Sequence, residues 1–120
     1  MENFKNVING EKIESNSRFG VINPATGNVF ADCESANIAM VDQAVAAARA
    51  AFFAWSKTSQ DERKAKIHEI GDALEANMPE LMALLTAETG EPMSGLNGVG
   101  SGMEVGGAMA WTHYTADLDL

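Results

Sequence analysis

Cysteine and basic residues are both scarce in this sequence. Cys33 is the single cysteine among 120 residues, which excludes an intramolecular disulfide framework and a cysteine-based zinc site. Lysine and arginine number 8 against 17 aspartate and glutamate residues, so the formal net charge is −9. This acidity disfavours binding to nucleic-acid phosphates and to anionic membrane surfaces, because both require a basic footprint.

From the sequence we expect neither a membrane span nor a secretory leader. No apolar stretch approaches the roughly 20 residues that cross a bilayer. The first six residues, MENFKN, contain neither a basic segment nor an apolar core. We therefore expect one soluble globular domain in the cytoplasm, with no membrane and no nucleic-acid partner.

Residues 4–34 have the composition of a short β-meander. The pair Asn9-Gly10 lies between apolar residues and predicts a tight turn. A second strand is expected to stop before Pro24, which has no N–H to donate, and a third to begin at Val29.

Residues 37–90 have the apolar periodicity of helices. One predicted face repeats at intervals of three and four residues and consists of Ile38, Val41, Val45, Ala48, Phe52 and Trp55. Asn37 is expected to cap this helix. Ser59 and Glu62 have the spacing of a capping box for a second helix, and Pro79 suits the first turn of a third. The second helix is predicted to bury Ile67, Ile70, Leu74 and Met78.

The segment after the third helix is rich in glycine. Gly90 is expected to end that helix, residues 91–102 to form a glycine-rich loop and residues 103–116 to form a final helix. The G-x-G-x-G run from Gly98 does not match a dinucleotide-binding motif, because the spacing differs and no strand precedes it. We interpret it as a flexible loop.

Taken alone, the polar residues predict no catalytic machinery. Cys33 lies between Asp32 and Glu34, whose negative charges disfavour the thiolate that a nucleophile needs. His68 and His113 are far apart and have no acidic partner at metal-ligand spacing, so neither a metal site nor a triad is predicted. We assign no catalytic and no cofactor-binding residue to these 120 residues.

Four short motifs nevertheless occur in an informative order. They are I-N-G-E from Ile8, N-P-A-T-G from Asn23, A-A-x-A-A-F-x-x-W from Ala47 and E-T-G-x-P from Glu88. This order resembles the N-terminal portion of the NAD(P)-dependent aldehyde dehydrogenase superfamily, and the likeness covers nearly the whole chain.

The resemblance implies an α/β family fold in which residues 1–120 are an α+β segment of the cofactor-binding domain. This segment would be a short N-terminal β-meander followed by three to four amphipathic helices of an incomplete Rossmann-like domain. The complete enzyme would oxidise an aldehyde to a carboxylic acid with NAD or NADP, using a cysteine nucleophile and a glutamate base. The resemblance places those groups beyond residue 120, so this chain alone would bind no cofactor and be inactive. Its partner would be the remainder of the chain, and the complete protein a homo-oligomer.

A monovalent cation site is one further implication of the resemblance. Matching by position gives the main-chain carbonyls of Val21 and Ile22 and the carboxylate of Glu88 as ligands, and oxygen atoms suit a hard cation. In the alternative interpretation, Glu88 only caps a helix end or pairs with a neighbour. Glu91 departs from the family pattern, which usually has lysine there.

A wall of the substrate tunnel is the other implication. In the family, the helix at residues 103–116 lines this tunnel, and residues four apart share a helix face. Met103 and Gly107 would then face the tunnel, with Ala110 and Trp111 one turn further on, and would favour a bulky or elongated aldehyde. Alternatively, Met103 belongs to an ordinary core and the glycines only relax the preceding loop.

A second hypothesis is a non-catalytic helical module, derived from the same family, that binds another protein. The apolar helix faces favour the enzyme segment instead, because they are patterned to pack beneath a sheet that these residues do not contain.

Overall fold

The computed structural model describes residues 2–119, which form two compact units that divide after Lys57. Within the described residues, the first unit contains β1 (Glu2–Phe4), β2 (Asn6–Ile8), β3 (Glu11–Ile13), β4 (Arg18–Asn23), β5 (Asn28–Glu34) and α1 (Ile38–Trp55). The second contains α2 (Gln60–Ala76), α3 (Met78–Thr89), a 3-10 turn (Leu96–Gly98) and α4 (Ser101–Asp117). Short strands followed by four helices confirm the predicted α+β class.

The strands form two sheets, which differs from the predicted single meander over residues 4–34. β5 lies in the centre of one sheet, parallel to β1 and antiparallel to β4, whereas β2 and β3 form a separate hairpin. The turn at Asn9-Gly10 is confirmed, since both residues have positive φ angles, 53° and 79°, as a type I′ turn requires. The meander prediction missed β1, because local patterns identify turns but not the distant partner of a parallel strand.

β4 ends at Asn23, directly before Pro24, as predicted. Its pairing with β5 shifts register between Val21 and Ile22, where Val21 lies opposite Ala31 and Ile22 opposite Val29. One residue of β5 is therefore extra at this point, and the regular ladder of backbone hydrogen bonds is interrupted beside these two positions.

The carboxylate of Glu34 joins several segments of the first unit. Its side chain has no exposed surface, and it accepts hydrogen bonds from the Arg18 Nε at 2.9 Å and the Ser15 N–H at 2.8 Å. The Asn3 side-chain amide donates to the same carboxylate at 3.5 Å. Glu34 thereby links β1, the segment after β3, β4 and β5. A buried carboxylate is tolerated here because charged and polar donors surround it.

α1 begins as predicted, with the Asn37 side chain accepting a hydrogen bond from the Met40 N–H at 3.0 Å. Met40 is its one buried residue, and the helix leaves most of its large apolar side chains exposed: Ile38, Val41, Val45, Phe52, Phe53 and Trp55. By length and composition alone, α1 could cross a membrane, which corrects the expectation that no stretch approaches that length. This is a weak indication, because the apolar helices of soluble proteins meet the same criteria.

The helix ends of the second unit follow the sequence signals closely. The Ser59 hydroxyl accepts from the Glu62 N–H, and the Glu62 carboxylate accepts from the Ser59 N–H, which is a complete capping box. The Ser59 backbone N–H and then the Ser59 hydroxyl, which both donate to the carboxylate, lower the pKa of Glu62. Pro79 lies in the first turn of α3, and Gly90 ends it with a φ of 77°.

α4 begins at Ser101 and ends at Asp117, so it is longer at both ends than the predicted 103–116. The Ser101 N–H donates to the carbonyl of Pro92 at 3.0 Å, which supplies a partner for a free N–H of the first helical turn. A Cβ at Gly100 would lie 2.2 Å from that same carbonyl. The glycine here therefore permits close backbone approach rather than merely making the loop flexible.

α2 packs against α4 through a face that differs in part from the predicted one. Gly71 is its buried residue, whereas Ile70 is 58% exposed instead of buried. Because Gly71 has no side chain, α4 can approach α2 closely at Gly71. The neighbouring residue Ile70 then lies on the outer surface of α2.

The role of Glu34 can be tested by Glu34→Ala. We expect the free energy of unfolding to fall by about 1–3 kcal/mol, because the Ser15 N–H loses its acceptor. Urea unfolding followed by circular dichroism measures this loss. As a control, Glu14→Gln removes only an exposed ion pair with Lys5 and should change the midpoint much less. Equal losses in the two variants would contradict the account.

Candidate functional site

The three residues predicted to bind a cation lie in different units. Val21 and Ile22 are on β4, at the interruption of its ladder, and Glu88 is an exposed residue of α3. Their arrangement as one site is not tested by the geometry of either unit, so the cation site stays a prediction.

The residues predicted to face the substrate tunnel lie on α4. Met103 is 56% exposed and Trp111 65% exposed, and a Cβ built at Gly107 would meet no atom within 4 Å. The Trp111 ring contacts Tyr114 edge-on, with centroids 5.5 Å apart. This face of α4 is therefore open, whereas Val105 is buried.

Each unit has an apolar groove among its described residues. That of the first unit, ≈ 680 Å³, lies on α1 and is lined by Val45, Ala48, Arg49, Phe52 and Phe53. That of the second unit, ≈ 250 Å³, is lined by Leu74, Leu81, Leu84, Leu85, Glu88, Val105 and Ala108. Both grooves are mostly apolar and offer few polar groups that could orient a small ligand.

The structure brings together two histidines that the sequence interpretation kept apart. The Nδ1 atoms of His68 on α2 and His113 on α4 are 2.8 Å apart, and the two rings are stacked. We call these two residues the histidine pair. A signal for it was present, since each histidine is followed four residues later by an aspartate, Asp72 and Asp117 respectively.

Gly71 provides the space for this contact. A Cβ at Gly71 would lie 2.5 Å from Cε1 and Nε2 of His113, so the ring rests directly on the backbone of α2. Glycine inside a helix costs about 1 kcal/mol of stability relative to alanine. The space that the His113 ring needs accounts for the glycine at position 71.

Within the part of the chain that the structure describes, no three histidine, cysteine or acidic side chains are placed to hold one metal ion. Cys33 lies on the central strand β5, opposite Phe4 and Phe19.

The carboxylate of Glu91, in the glycine-rich segment, lies near a like charge, that of Glu104 on α4. Partial loss of water and the neighbouring carboxylate of Glu104 raise the pKa of Glu91. Glu91 therefore introduces a repulsion that weakens when the pH falls and the carboxyl group is protonated.

Comparison with known proteins identifies the class to which this architecture belongs. A sequence model of the aldehyde dehydrogenase family matches residues 12–118. The chain is 40% identical over 93 residues to 5-carboxymethyl-2-hydroxymuconate semialdehyde dehydrogenase from Escherichia coli, which covers 78% of this chain and 20% of that protein. The chain belongs to the aldehyde dehydrogenase family and corresponds to its N-terminal portion.

Solved structures show the same fold. An NAD-dependent benzaldehyde dehydrogenase from Corynebacterium glutamicum is similar with a TM-score of 0.83 and 32% identity, over 93% of this chain and 24% of that one. An NAD-dependent aldehyde dehydrogenase from Sinorhizobium meliloti gives 0.86 and 26% identity, over 96% and 23%. The chain thus spans about a fifth to a quarter of the length of these relatives.

Proposed function

We propose that these 120 residues act as the N-terminal segment of an NAD(P)-dependent aldehyde dehydrogenase, which oxidises an aldehyde to a carboxylic acid. The segment contributes packing surface and support for the cofactor-binding half, while the reacting groups belong to other parts of the enzyme. In this proposal neither Cys33, which lies on the central strand β5, nor a glutamate of this chain serves as the nucleophile or the base.

The observation that carries this proposal is the uncovered apolar surface of α1. Phe52 and Phe53 are 61% and 72% exposed, and Trp55 is 46% exposed. Complete burial of one such side chain stabilises a protein by about 1.5–3 kcal/mol, so leaving several in water is unfavourable. A remainder of the enzyme packed on this helix would recover that free energy.

The same proposal assigns the cofactor, the assembly and the location. NAD or NADP would bind to the complete enzyme, whose relatives include NAD-dependent dehydrogenases. The complete protein would form a homo-oligomer in the cytoplasm, in which α1 is a packing helix rather than a membrane span.

Two groups of residues have proposed roles in the complete enzyme. The carbonyls of Val21 and Ile22 and the carboxylate of Glu88 would hold a monovalent cation, and the interrupted ladder of β4 supports this because it disturbs the backbone pairing at the two carbonyl positions. Met103, Gly107 and Trp111 would line the substrate tunnel, which the openness of that face of α4 supports.

The proposed function can be tested with a chimeric enzyme. This chain replaces the corresponding residues of the Escherichia coli relative, to which it is 40% identical over 93 residues. We expect the chimera to fold and to reduce NAD with the aldehyde substrate of that relative, because the chain has the family fold and 40% identity over 93 residues with the relative. The 120-residue chain alone should give no reduction above a boiled sample.

An inactive, unfolded chimera would contradict the proposed function. A 120-residue chain that exposes no dye-binding apolar surface would contradict it too, and would favour the free-standing binding module.

The tunnel role can be tested in the same chimera by Gly107→Leu. A leucine there would narrow the proposed tunnel, so kcat/KM for a long aldehyde should fall by about tenfold or more relative to a short one. Gly106→Leu is the matched control, because its Cβ also meets no atom within 4 Å but projects from another side of α4. Equal losses for both aldehydes in Gly107→Leu would show that this face does not set substrate size.

A further inference from the structure

The histidine pair is braced by two carboxylates in a crossed arrangement. Asp72 follows His68 by one helical turn on α2, and Asp117 follows His113 by one turn on α4. Each acid faces the histidine of the other helix: Asp117 Oδ1 is 3.0 Å from Nε2 of His68, and Asp72 Oδ1 is 3.8 Å from Nε2 of His113. Both rings retain contact with solvent, with side chains 38% and 28% exposed.

Only some protonation states of the two histidine rings allow these hydrogen bonds to form. When both rings are neutral, the Nε2–H of His68 donates to Asp117 and the Nδ1–H of His113 donates to Nδ1 of His68. One added proton fits on Nε2 of His113, where it faces Asp72. A second added proton must occupy the remaining Nδ1, which sets two N–H groups against each other across 2.8 Å and makes both rings positive.

We propose that the histidine pair couples the packing of α2 against α4 to its proton count. The contact is stable with no added proton or with one, and the second proton breaks it. Acidification adds protons to histidine more readily than to the other basic side chains, so lowering the pH is the condition that tests this proposal.

The two carboxylates favour added protons on the rings, so what opposes the second proton is the close approach of the two Nδ1 atoms. Other charged groups of α2 and α4 form ion pairs of their own, and Lys64 on α2 pairs with Asp119, beyond the end of α4, at 3.2 Å. Lys66 and Glu69 pair with each other at 2.7 Å on the surface of α2. α3 also packs against α4, and its Glu80 and Glu88 form no ion pair with either ring among the described contacts.

Because the folded and unfolded chains would bind different numbers of protons, the stability of the fold should depend on pH. Well below the ordinary histidine pKa of about 6.5 the unfolded chain binds a proton on each histidine, whereas the proposed contact admits only one added proton on the pair. The unfolded state then carries one more proton, so the unfolding equilibrium constant should rise about tenfold for each pH unit of acidification. Stability is therefore lost as the pH falls.

The variant His113→Asn isolates the contribution of the histidine pair to the pH dependence of stability. The asparagine amide can still meet Nδ1 of His68 but never becomes charged, so the single remaining histidine can be protonated in both states. In denaturant unfolding, the logarithm of the wild-type unfolding constant should change more steeply with pH than that of His113→Asn, and the difference should approach about one per pH unit below about pH 5.5. Glu69→Gln, which breaks only the surface pair with Lys66, should keep the wild-type slope. Parallel slopes for wild type and His113→Asn would overturn the proposal.

A second measurement does not depend on the folding of a variant. The chain has 2 histidines, so their ring signals can be followed by proton NMR of the wild type at increasing acidity. The proposal expects both signals to respond to two separate, shared steps, with loss of the folded spectrum on the second. Two independent single steps, with the folded spectrum retained, would overturn it.

Discussion

Apolar surface exceeds what the elements of this chain can cover, and most of the architecture depends on that imbalance. Among the described residues, the buried apolar set is small: Ala31, Met40, Val105 and Ala116. Phe52, Phe53 and Trp111, each far larger, are more than half exposed. Helices usually gain their stability from packing an amphipathic face rather than from intrinsic propensity. We therefore attribute the long apolar faces of α1 and α4 to the proposed remainder of an aldehyde dehydrogenase.

Polar contacts hold together segments of the chain that the small apolar core does not connect. In the first unit, the Glu34 carboxylate connects strands whose own hydrogen-bonded ladders are short. In the second, the capping box at Ser59 and the left-handed Gly90 fix where α2 begins and where α3 ends. The hydroxyls of Thr86 and Ser101, 2.9 Å apart, join α3 to α4 at a fully buried position. Local hydrogen bonds thus define the elements, while their apolar faces stay available.

Features encoded within a few residues could be predicted from the sequence. The Asn9-Gly10 turn, the Asn37 cap and the capping box at Ser59 each depend on neighbours in the chain, and each is confirmed. Features that depend on distant partners could not. The parallel pairing of β1 with β5 and the start of α4 on the carbonyl of Pro92 arise from contacts between separate segments.

The residues of the candidate sites also differ in whether the sequence could indicate them. Family resemblance, rather than chemistry visible in the residues, supplies Val21, Ile22, Glu88, Met103, Gly107 and Trp111, and their roles stay predictions. The histidine pair was missed because only the packing of α2 on α4 brings His68 to His113. The repeated His-x-x-x-Asp spacing was readable, but a single helix cannot show that each aspartate faces the other histidine.

Hydrogen exchange of the α1 amides tests the central claim most directly. The amides of α1 (Ile38–Trp55) are compared in the 120-residue chain and in the chimera with the Escherichia coli relative. If the remainder of an aldehyde dehydrogenase covers this helix, its amides should exchange at least about tenfold more slowly in the chimera, since local opening would then expose packed apolar surface. Equal exchange rates in the two proteins would contradict the claim that the apolar face of α1 is a packing surface for the rest of the enzyme.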